Sequence, residues 1–215
     1  MIFSVDAILF DIDGTLVDST PVVERTWRTW AGRHGYDADE ILRVCHGRRT
    51  RDTVALFLPA DARDAAVAEL EELERHDFDG VVALPAAGSL LRALPAERWA
   101  AVTSGTQPLM RARLAAAGLP VPKVLIAAED VTAGKPDPQG YRMAAAALGF
   151  DVRRCLVVED APAGLAAGRA APASTLAVGT SHDLAELTAA DAAIPDLRAL
   201  TVDVTPESLT LRPNR

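Results

Sequence analysis

Two aspartates, Asp11 and Asp13, stand at the end of an apolar run and are followed directly by Gly14. Side chains two residues apart share one face of a strand, and open α/β sheets bind ligands at the carboxyl ends of their strands. One carboxylate placed there can attack phosphorus and form an acyl phosphate. The other can protonate a departing alkoxide and then deprotonate water. The pair is therefore a candidate nucleophile and acid/base, although a turn that closes beside a helix has the same spacing.

Hydroxyl groups and a lysine with suitable chemistry follow further along the chain. Thr103, Ser104 and Gly105 come after the apolar run WAAV, where their polar groups can donate hydrogen bonds to a phosphoryl oxygen. Lys135 lies in the proline-flanked segment AGKPDP, where its ammonium can neutralise both Asp11 and a transferring phosphoryl group. Each signal has a simpler explanation when taken alone, because TSG is common at helix starts and a loop lysine is usually a solvated charge.

Two more acids, Glu159 and Asp160, follow the apolar run CLVV. Taken alone, they are also what a helix cap requires. Together with Asp11 and Asp13, Asp160 would place several negative charges at neighbouring strand ends and repel a phosphate ester unless a hard cation intervened. Magnesium ions bind carboxylate oxygens and substrate phosphates, so the sequence predicts a Mg²⁺ cofactor.

The elements that must position these residues are short apolar runs alternating with helix-like segments. This rhythm is typical of the α/β class, in which a Rossmann-like parallel sheet carries helices on both faces. The helical segments are rich in Ala, Leu and Arg, which favour helix formation. We predict strands over residues 5–10, 99–102, 124–127, 155–158 and 174–178, and helices over residues 88–94, 107–117, 138–148 and 162–170.

Nearly ninety residues separate the first two predicted strands, whereas the loop between a strand and the next helix usually has about two to six. We therefore predict a small inserted α-helical cap domain in this interval. Its first helix should have Thr20 as N-cap and Pro21 as first helical residue, and a later helix should span residues 61–76. The predicted division is a core of residues 1–17 and 86–215 and a cap of residues 18–85.

The segment DIDGT, followed in order by TSG, GKPDP and ED, resembles the haloacid dehalogenase superfamily, whose phosphatases carry DxDGT on the first strand. The resemblance covers the chain from residue 5 to about residue 178. It implies an aspartyl-phosphate mechanism with four catalytic residues, Asp11, Asp13, Ser104 and Lys135. It implies phosphoryl contacts from Thr103, Ser104, Gly105 and Lys135. The implied magnesium ligands are the Asp11 carboxylate, the Asp13 backbone carbonyl and the Asp160 carboxylate, with Glu159 in the shell behind them.

Within this superfamily, the insertion is similar to the helical cap of the subgroup that contains β-phosphoglucomutase and small sugar phosphatases. Mutases of that group carry a histidine in the first cap helix, where this chain has Val23. Dehalogenases lack the second aspartate, here Asp13, and phosphonate hydrolases use a cap lysine, whereas residues 18–85 contain no lysine. These departures favour a phosphatase. A phosphosugar mutase is the alternative enzyme, and a phosphate-binding module without turnover is a third possibility, since a fold does not guarantee a function.

The cap run HGRRTRD, residues 46–52, resembles the substrate-specificity loop of the 2-deoxyglucose-6-phosphate and glycerol-phosphate phosphatases. This implies that Arg48 and Arg49 contact the substrate, because a guanidinium presents a fixed fork of donors, with His46 as a further contact. A solvated basic helix start explains the two arginines equally well. The chain departs from the family at the cap exit, where Ala86 replaces the usual glycine. We expect the substrate to be the phosphate of a small sugar or polyol.

Composition narrows the range of partners. A net charge of -8 and a pI near 5.0 oppose binding to nucleic acid, and no apolar stretch approaches the roughly 18 residues that read as a membrane span. Asp6 and Asp11 interrupt the first apolar stretch, so we expect no secretory signal and a cytoplasmic location. The two cysteines, Cys45 and Cys155, should be free thiols. The expected partner is a small phosphorylated metabolite, bound by a monomer or weak homodimer.

Overall fold

The computed structural model describes residues 2–213, in which short strands alternate with helices. The strands are β1 (Phe3–Val5), β2 (Ala7–Phe10), β3 (Val17–Asp18), β4 (Val82–Ala83), β5 (Trp99–Val102), β6 (Leu125–Ile126), β7 (Cys155–Glu159), β8 (Ser174–Val178), β9 (Ala192–Ile194), β10 (Leu200–Val204) and β11 (Leu209–Pro213). The α-helices are α1 (Thr20–His34), α2 (Ala38–Cys45), α3 (Thr50–Phe57), α4 (Arg63–Arg75), α5 (Ala87–Ala93), α6 (Gln107–Ala116), α7 (Gln139–Leu148) and α8 (Pro162–Ala170).

A six-stranded parallel sheet in the order β6-β5-β2-β7-β8-β9 forms the centre of the protein. Strand β2 lies between β5 and β7, with Ile8 opposite Trp99 on one side and Leu9 opposite Val157 on the other. All four residues of β2 are buried, as expected of a parallel sheet covered on both faces. The predicted α/β fold is confirmed.

Alternate residues of β2 face two different layers of helices. Ile8 and Phe10 belong to a core cluster with side chains of α5 and α6, such as Leu91 and Met110. The intervening residues Ala7 and Leu9 belong to a second cluster with Tyr141 and Ala144 of α7 and Ala167 of α8. The two clusters fix the direction of β2, and with it the edge of the sheet at which the next residues emerge.

The strand predicted over residues 5–10 is in fact two strands, because Asp6 leaves the sheet. The Asp6 backbone N–H donates to the Arg154 carbonyl over 2.7 Å, and its carboxylate accepts from the Arg154 guanidinium. Strand β1 instead pairs antiparallel with β11 in a separate sheet of order β1-β11-β10. Leu209 and Leu211 of β11 are fully buried there, although no element was predicted beyond residue 206.

Helices α1 to α4 lie between β3 and β4, which pair antiparallel at the base of the insertion. They share a hydrophobic cluster of their own that includes Trp27, Trp30 and Leu70. The predicted N-cap was wrong by one residue, since the N-cap position is Ser19 and the Thr20 N–H donates to the Asp18 carboxylate over 3.1 Å. The predicted domain boundaries at residues 17/18 and 85/86 stay a prediction.

The chain returns from the insertion through Ala86, whose φ of 66° is left-handed. A left-handed conformation costs a residue with a Cβ roughly 1–2 kcal/mol, which explains why glycine is usual at this point of the family pattern.

Both cysteines are buried free thiols, as predicted. None of the helices within residues 2–213 has the length and hydropathy needed to cross a bilayer.

Candidate active site

The predicted site residues follow three neighbouring strands. Asp11 comes directly after β2, Thr103 directly after β5, and Glu159 ends β7 with Asp160 next in the chain. Because β5, β2 and β7 are adjacent and parallel, their carboxyl ends lie at one edge of the sheet. The fold therefore brings together side chains that are up to about 150 residues apart in the sequence.

Lys135 joins two of these acids from the loop before α7. Its ammonium is buried and donates to the Asp11 carboxylate, to Glu159 Oε1 over 2.6 Å and to the Val102 carbonyl over 3.1 Å. Burial by itself lowers the pKa of Lys135, but the attraction of Asp11 and Glu159 raises it above its ordinary value. Lys135 is thus a fixed positive charge at the predicted nucleophile.

Glu159 is held from every side by hydrogen-bond donors. Oε1 accepts from Lys135 Nζ and from the Tyr141 hydroxyl over 2.7 Å, while Oε2 accepts from the backbone N–H groups of Asp160 and Ala161. A carboxylate with this many donors has a fixed orientation. The predicted place of Glu159 in the shell behind the metal ligands stays a prediction.

Asp160 packs against the loop that follows β2. Its carboxylate accepts from the Thr15 hydroxyl over 3.2 Å and from the Ser181 hydroxyl. A Cβ at Gly14, where φ is 81°, would lie only 2.0 Å from Asp160 Oδ2, so this approach requires a glycine. Burial and the charge of Glu159 raise the pKa of Asp160 to about 7.

An excess of negative charge marks this cluster as a possible cation site. Carboxylate oxygens of Asp11, Glu159 and Asp160 all lie within 4.8 Å of one another, whereas Lys135 is the only cation that contacts them among the described residues. Burial raises the pKa of Asp11 well above its ordinary value, and Lys135 opposes that rise. Buried oxygen ligands of this kind suit a hard divalent ion such as Mg²⁺.

The side chain of Asp13 bonds to residues outside the acidic cluster. Its Oδ2 accepts from Arg113 Nη1 over 2.7 Å, and Arg113 Nη2 donates to Glu74 Oε1 over 2.9 Å. The other oxygen, Oδ1, is buried and has no hydrogen-bond partner within residues 2–213. The predicted use of the Asp13 carbonyl as a metal ligand stays a prediction.

The predicted phosphoryl-binding segment contacts the inserted helices. The Ser104 hydroxyl donates to the Gly47 carbonyl over 2.9 Å, and Thr103 Oγ1 accepts from the Gly105 N–H over 3.1 Å. A Cβ at Gly47 would lie 2.8 Å from the Ala161 Cβ. The loop of residues 46–49 is therefore docked closely on the core, while phosphoryl binding by Thr103, Ser104 and Gly105 stays a prediction.

The two arginines of this loop have different surroundings. Arg48 and His46 border a cavity of about 90 Å³ that Asp11 and Asp13 also line, and the Arg48 side chain has no ion pair or hydrogen bond among the described residues. Arg49 does not line that cavity. It forms a bidentate pair with Asp52 and donates to the Val131 carbonyl over 3.2 Å.

The residues that orient the acids were not predicted from the sequence. Arg113 was detectable in principle, because it falls with Met110 and Leu114 on the buried face of α6, where a charge needs a partner. Ser181 also had a signal, since it follows the end of β8 at the same edge of the sheet. Nothing in the sequence distinguished Tyr141 from an ordinary core aromatic.

A family profile described as haloacid dehalogenase-like hydrolase matches residues 5–172. The chain belongs to this family. The hydrolase is 42% identical to hexitol phosphatase A of Escherichia coli over a 203-residue alignment that covers 92% of this chain and 94% of that protein. It is 38% identical to glycerol-1-phosphate phosphohydrolase 2 of Saccharomyces cerevisiae over a 192-residue alignment that covers 84% of this chain and 77% of that protein.

The fold of this hydrolase is also found in solved structures. A crystal structure of a hydrolase from Pseudomonas syringae matches with a TM-score of 0.81 at 25% identity, over 89% of this chain and 94% of that chain. The predicted membership of the haloacid dehalogenase superfamily and the predicted class of enzyme, a phosphoric monoester hydrolase, are confirmed. Members of this superfamily generally use Mg²⁺, and the acidic cluster of this hydrolase is compatible with it.

Proposed function

We propose that this hydrolase removes the phosphate from a small sugar or polyol phosphate through an aspartyl-phosphate on Asp11, with Mg²⁺ as cofactor. The observation that carries the proposal is the buried ammonium of Lys135 held against Asp11 and Glu159 at the carboxyl edge of the sheet. An ammonium there stabilises the negative charge that the phosphoryl group carries during transfer. Two relatives named for hexitol and glycerol phosphates support the substrate class.

In the first step, an Asp11 oxygen attacks phosphorus and the bond from phosphorus to the substrate oxygen breaks. Asp13 gives its proton to that oxygen, so the leaving group departs as an alcohol. In the second step, Asp13 takes a proton from water as the water oxygen attacks phosphorus. The acyl-phosphate bond breaks, inorganic phosphate leaves, and Asp11 returns as a carboxylate.

The phosphoryl group is held in this proposal by Lys135 and by the segment of residues 103–105, which includes Ser104. Lys135 is already fixed by three acceptors and needs no rearrangement to meet a new charge. Ser104 donates to the Gly47 carbonyl when the loop is docked, and its hydroxyl can instead turn to a phosphoryl oxygen. Both groups then bind the part of the molecule that every substrate shares.

We assign Mg²⁺ to the Asp11 carboxylate, the Asp13 carbonyl and the Asp160 carboxylate. The residues fit the ion, because the buried carboxylates of Asp11, Glu159 and Asp160 lie within 4.8 Å of one another. Together they carry more negative charge than Lys135 alone can balance. When bound, Mg²⁺ supplies positive charge for the phosphoryl oxygens and lets an anionic ester approach the acids. Glu159 keeps its four donors and orients Lys135 and the backbone of Asp160.

The inserted helices, the proposed cap of residues 18–85, supply the contacts that distinguish one substrate from another. The cavity of about 90 Å³ below residues 46–48 suits a small organic group, and Arg48 has its charge available there. His46 lies at the same cavity with its ring 6.0 Å from that of His182. A phosphosugar mutase is not favoured, since Val23 borders this cavity where mutases carry a histidine.

A substrate panel tests the proposal. Hexitol, glycerol and hexose phosphates are incubated with the protein and Mg²⁺, and release of inorganic phosphate is measured for the wild type and for Asp11→Asn. We expect turnover of at least one polyol or sugar phosphate by the wild type alone. Turnover that is equal in both proteins, or conversion of a sugar phosphate to its isomer without phosphate release, would contradict the proposal.

A further inference from the structure

A charged side chain, Arg113, lies in the buried face of α6. It is 2% exposed and shares this face with Met110 and Leu114. Burying a guanidinium is unfavourable unless it is paired and hydrogen-bonded. None of the steps of phosphate hydrolysis described above uses Arg113, so its position needs another explanation.

Arg113 joins two acids that belong to different parts of the protein. Asp13 lies in the loop after β2, whereas Glu74 is in the last turn of α4, among the inserted helices. Burial by itself lowers the pKa of Arg113, but Asp13 and then Glu74 raise it above its ordinary value. Burial raises the pKa of Glu74, and the charge of Arg113 opposes that rise. The guanidinium is thus a permanent cation between the two carboxyl groups.

The bond from Arg113 makes the two carboxylate oxygens of Asp13 inequivalent. Oδ2 is occupied by Arg113 Nη1 over 2.7 Å, whereas Oδ1 is buried and has no partner within residues 2–213. A guanidinium is planar and donates in fixed directions, so one bond to Oδ2 also restricts the rotation of the carboxyl group. Asp13 and Arg113 both border the cavity that contains Asp11.

We propose that Arg113 is a positioning residue that holds Asp13 so that Oδ1 is the oxygen that exchanges the proton, with Glu74 as its anchor. This inference rests on the proposed role of Asp13. The proton on Oδ1 passes to the departing substrate oxygen, and Oδ1 later takes a proton from water, while Oδ2 stays bonded to Arg113. In this role Arg113 acts on the reaction only through Asp13.

The competing explanation is that Arg113 only fastens α4 to the core. A structural fastener and a positioning residue differ in how they depend on Asp13. Loss of a fastener would impair the enzyme whether or not Asp13 is present, so its effect would add to that of Asp13→Ala. Loss of a positioning residue has no further effect once the group that it positions is gone.

The experiment is a double-mutant cycle of Arg113→Lys and Asp13→Ala, with Arg111→Lys as the control. Lysine keeps the charge but cannot bridge two carboxyl groups as a planar fork does, and Arg111 is exposed on the same helix without a side-chain partner among the described residues. The values of kcat and KM are measured with the best sugar or polyol phosphate. The rate of the nitrophenolate burst is measured with p-nitrophenyl phosphate, whose leaving group needs little protonation.

We expect Arg113→Lys to lower kcat for the sugar or polyol phosphate by roughly thirty- to a hundred-fold, as a misplaced catalytic group does. KM and the burst rate should change less than about three-fold, and Arg113→Lys should have no further effect in Asp13→Ala. An equal loss for both substrates, a change in KM alone, an additive loss in the double mutant, or full activity of Arg113→Lys would overturn the inference.

Glu74→Ala keeps the inference testable if Arg113→Lys does not fold. Alanine preserves the helix and removes only the anchor, so kcat for the sugar or polyol phosphate should fall about ten-fold with an unchanged nitrophenolate burst. Unchanged kcat in Glu74→Ala would count against the inference. Failure of the proposed function gives a different result, in which the wild type hydrolyses no phosphate ester or Asp13→Ala retains full turnover.

Discussion

The acidic cluster after β2 and β7 and the docked loop of residues 46–49 meet at the same cavity, yet they are built in opposite ways. In the cluster, Asp11, Lys135 and Glu159 are at most 7% exposed, and Lys135 donates to both acids. In the loop, Arg48 is exposed and has no side-chain partner among the described residues. The cluster fixes each of its charges through the others, whereas the loop leaves one charge uncommitted.

The difference separates what every substrate shares from what varies. A fixed cluster is preorganised for charge that develops in the transition state, because its dipoles and charges need not reorganise. An uncommitted arginine can turn toward whatever oxygens the organic group presents. Substitutions in the cluster should therefore affect all substrates, and substitutions at Arg48 should affect some of them.

Asp11→Asn should have the largest effect, since it removes the nucleophile and the charge of one of the three acceptors of Lys135. We expect kcat to fall by roughly 10⁴-fold or more for both a sugar phosphate and p-nitrophenyl phosphate, with a far-ultraviolet circular dichroism spectrum like that of the wild type. The matched control, Asp183→Asn, alters an exposed aspartate and should keep full turnover. A large loss for only one of the two substrates would break the contrast between cluster and loop.

The pKa of Asp160 leads to a prediction about stability. A value of about 7 in the folded protein, against 3.8 for an ordinary aspartate, means that the folded state keeps a proton that the unfolded chain has lost. This stabilisation is complete below pH 3.8 and disappears as the pH rises through about 7. Without metal, the free energy of unfolding should fall by about 2–3 kcal/mol between pH 5 and pH 8 because of this group.

The check is urea unfolding in the presence of a chelator, at both pH values, for the wild type and Asp160→Asn. The amide has no proton to lose, so the variant should depend less on pH than the wild type does. Added Mg²⁺ should restore stability at pH 8 more than at pH 5, because it binds the ionised carboxylates. Identical pH dependence of the two proteins would disprove the assignment.

Asp160→Ala should also raise the Mg²⁺ concentration that gives half-maximal activity, by roughly ten- to a hundred-fold. The reason is that a carboxylate ligand is lost while Asp11 and Lys135 remain. Activity is titrated with Mg²⁺ after exhaustive chelation, and Asp61→Ala, an exposed site without a side-chain partner among the described residues, is the control. Full wild-type activity after complete metal removal would rule out the proposed cofactor.

Arg48→Ala should have the smallest effect and the most selective one. An exposed hydrogen bond from a charged group contributes free energy at the low end of the range for such bonds. We therefore expect about a ten-fold loss of kcat/KM for the best sugar phosphate and almost none for p-nitrophenyl phosphate. Arg49→Ala should lower kcat/KM by the same factor for both substrates, because Arg49 bonds to Asp52 and to the Val131 carbonyl. Arg43→Ala, in the exposed last turn of α2, is the control.

These measurements separate two explanations of the loop. If the ratio of kcat/KM values for the two substrates is the same in Arg48→Ala and in the wild type, the loop is only a basic surface. If Arg49→Ala changes that ratio as much as Arg48→Ala does, the ion pair with Asp52 does not persist during turnover.

Five of the six strands of the central sheet, and the acids that follow β2 and β7, could be predicted from the sequence, because these acids come at the ends of apolar runs. A parallel sheet gathers such positions at one edge, whatever the spacing in the chain. The break at Asp6 could not be predicted, because it depends on a hydrogen bond to Arg154, nearly 150 residues away. The pairing of β1 with β11 depends in the same way on distant segments.

The residues that orient the acids were harder to predict for a related reason. Arg113 and Tyr141 come from helices, and the identity of their partners depends on how each helix is rotated against the sheet. Sequence periodicity shows which face of a helix is buried but not which polar atom it meets. Arg48 and Arg49 are adjacent in the sequence, and predicting their different environments would require knowing where α3 lies relative to the core.

The loop of residues 46–49 meets the core mainly through main-chain acceptors. Ser104 donates to the Gly47 carbonyl, and Arg49 donates to the Val131 carbonyl. A carbonyl is present whatever residue carries it, so the second bond does not constrain the side chain of residue 131, and residue 48 takes part in neither bond. The residue at position 48 can thus be exchanged, in evolution or by design, to change the preferred metabolite without altering the hydrogen bonds that hold the loop on the core.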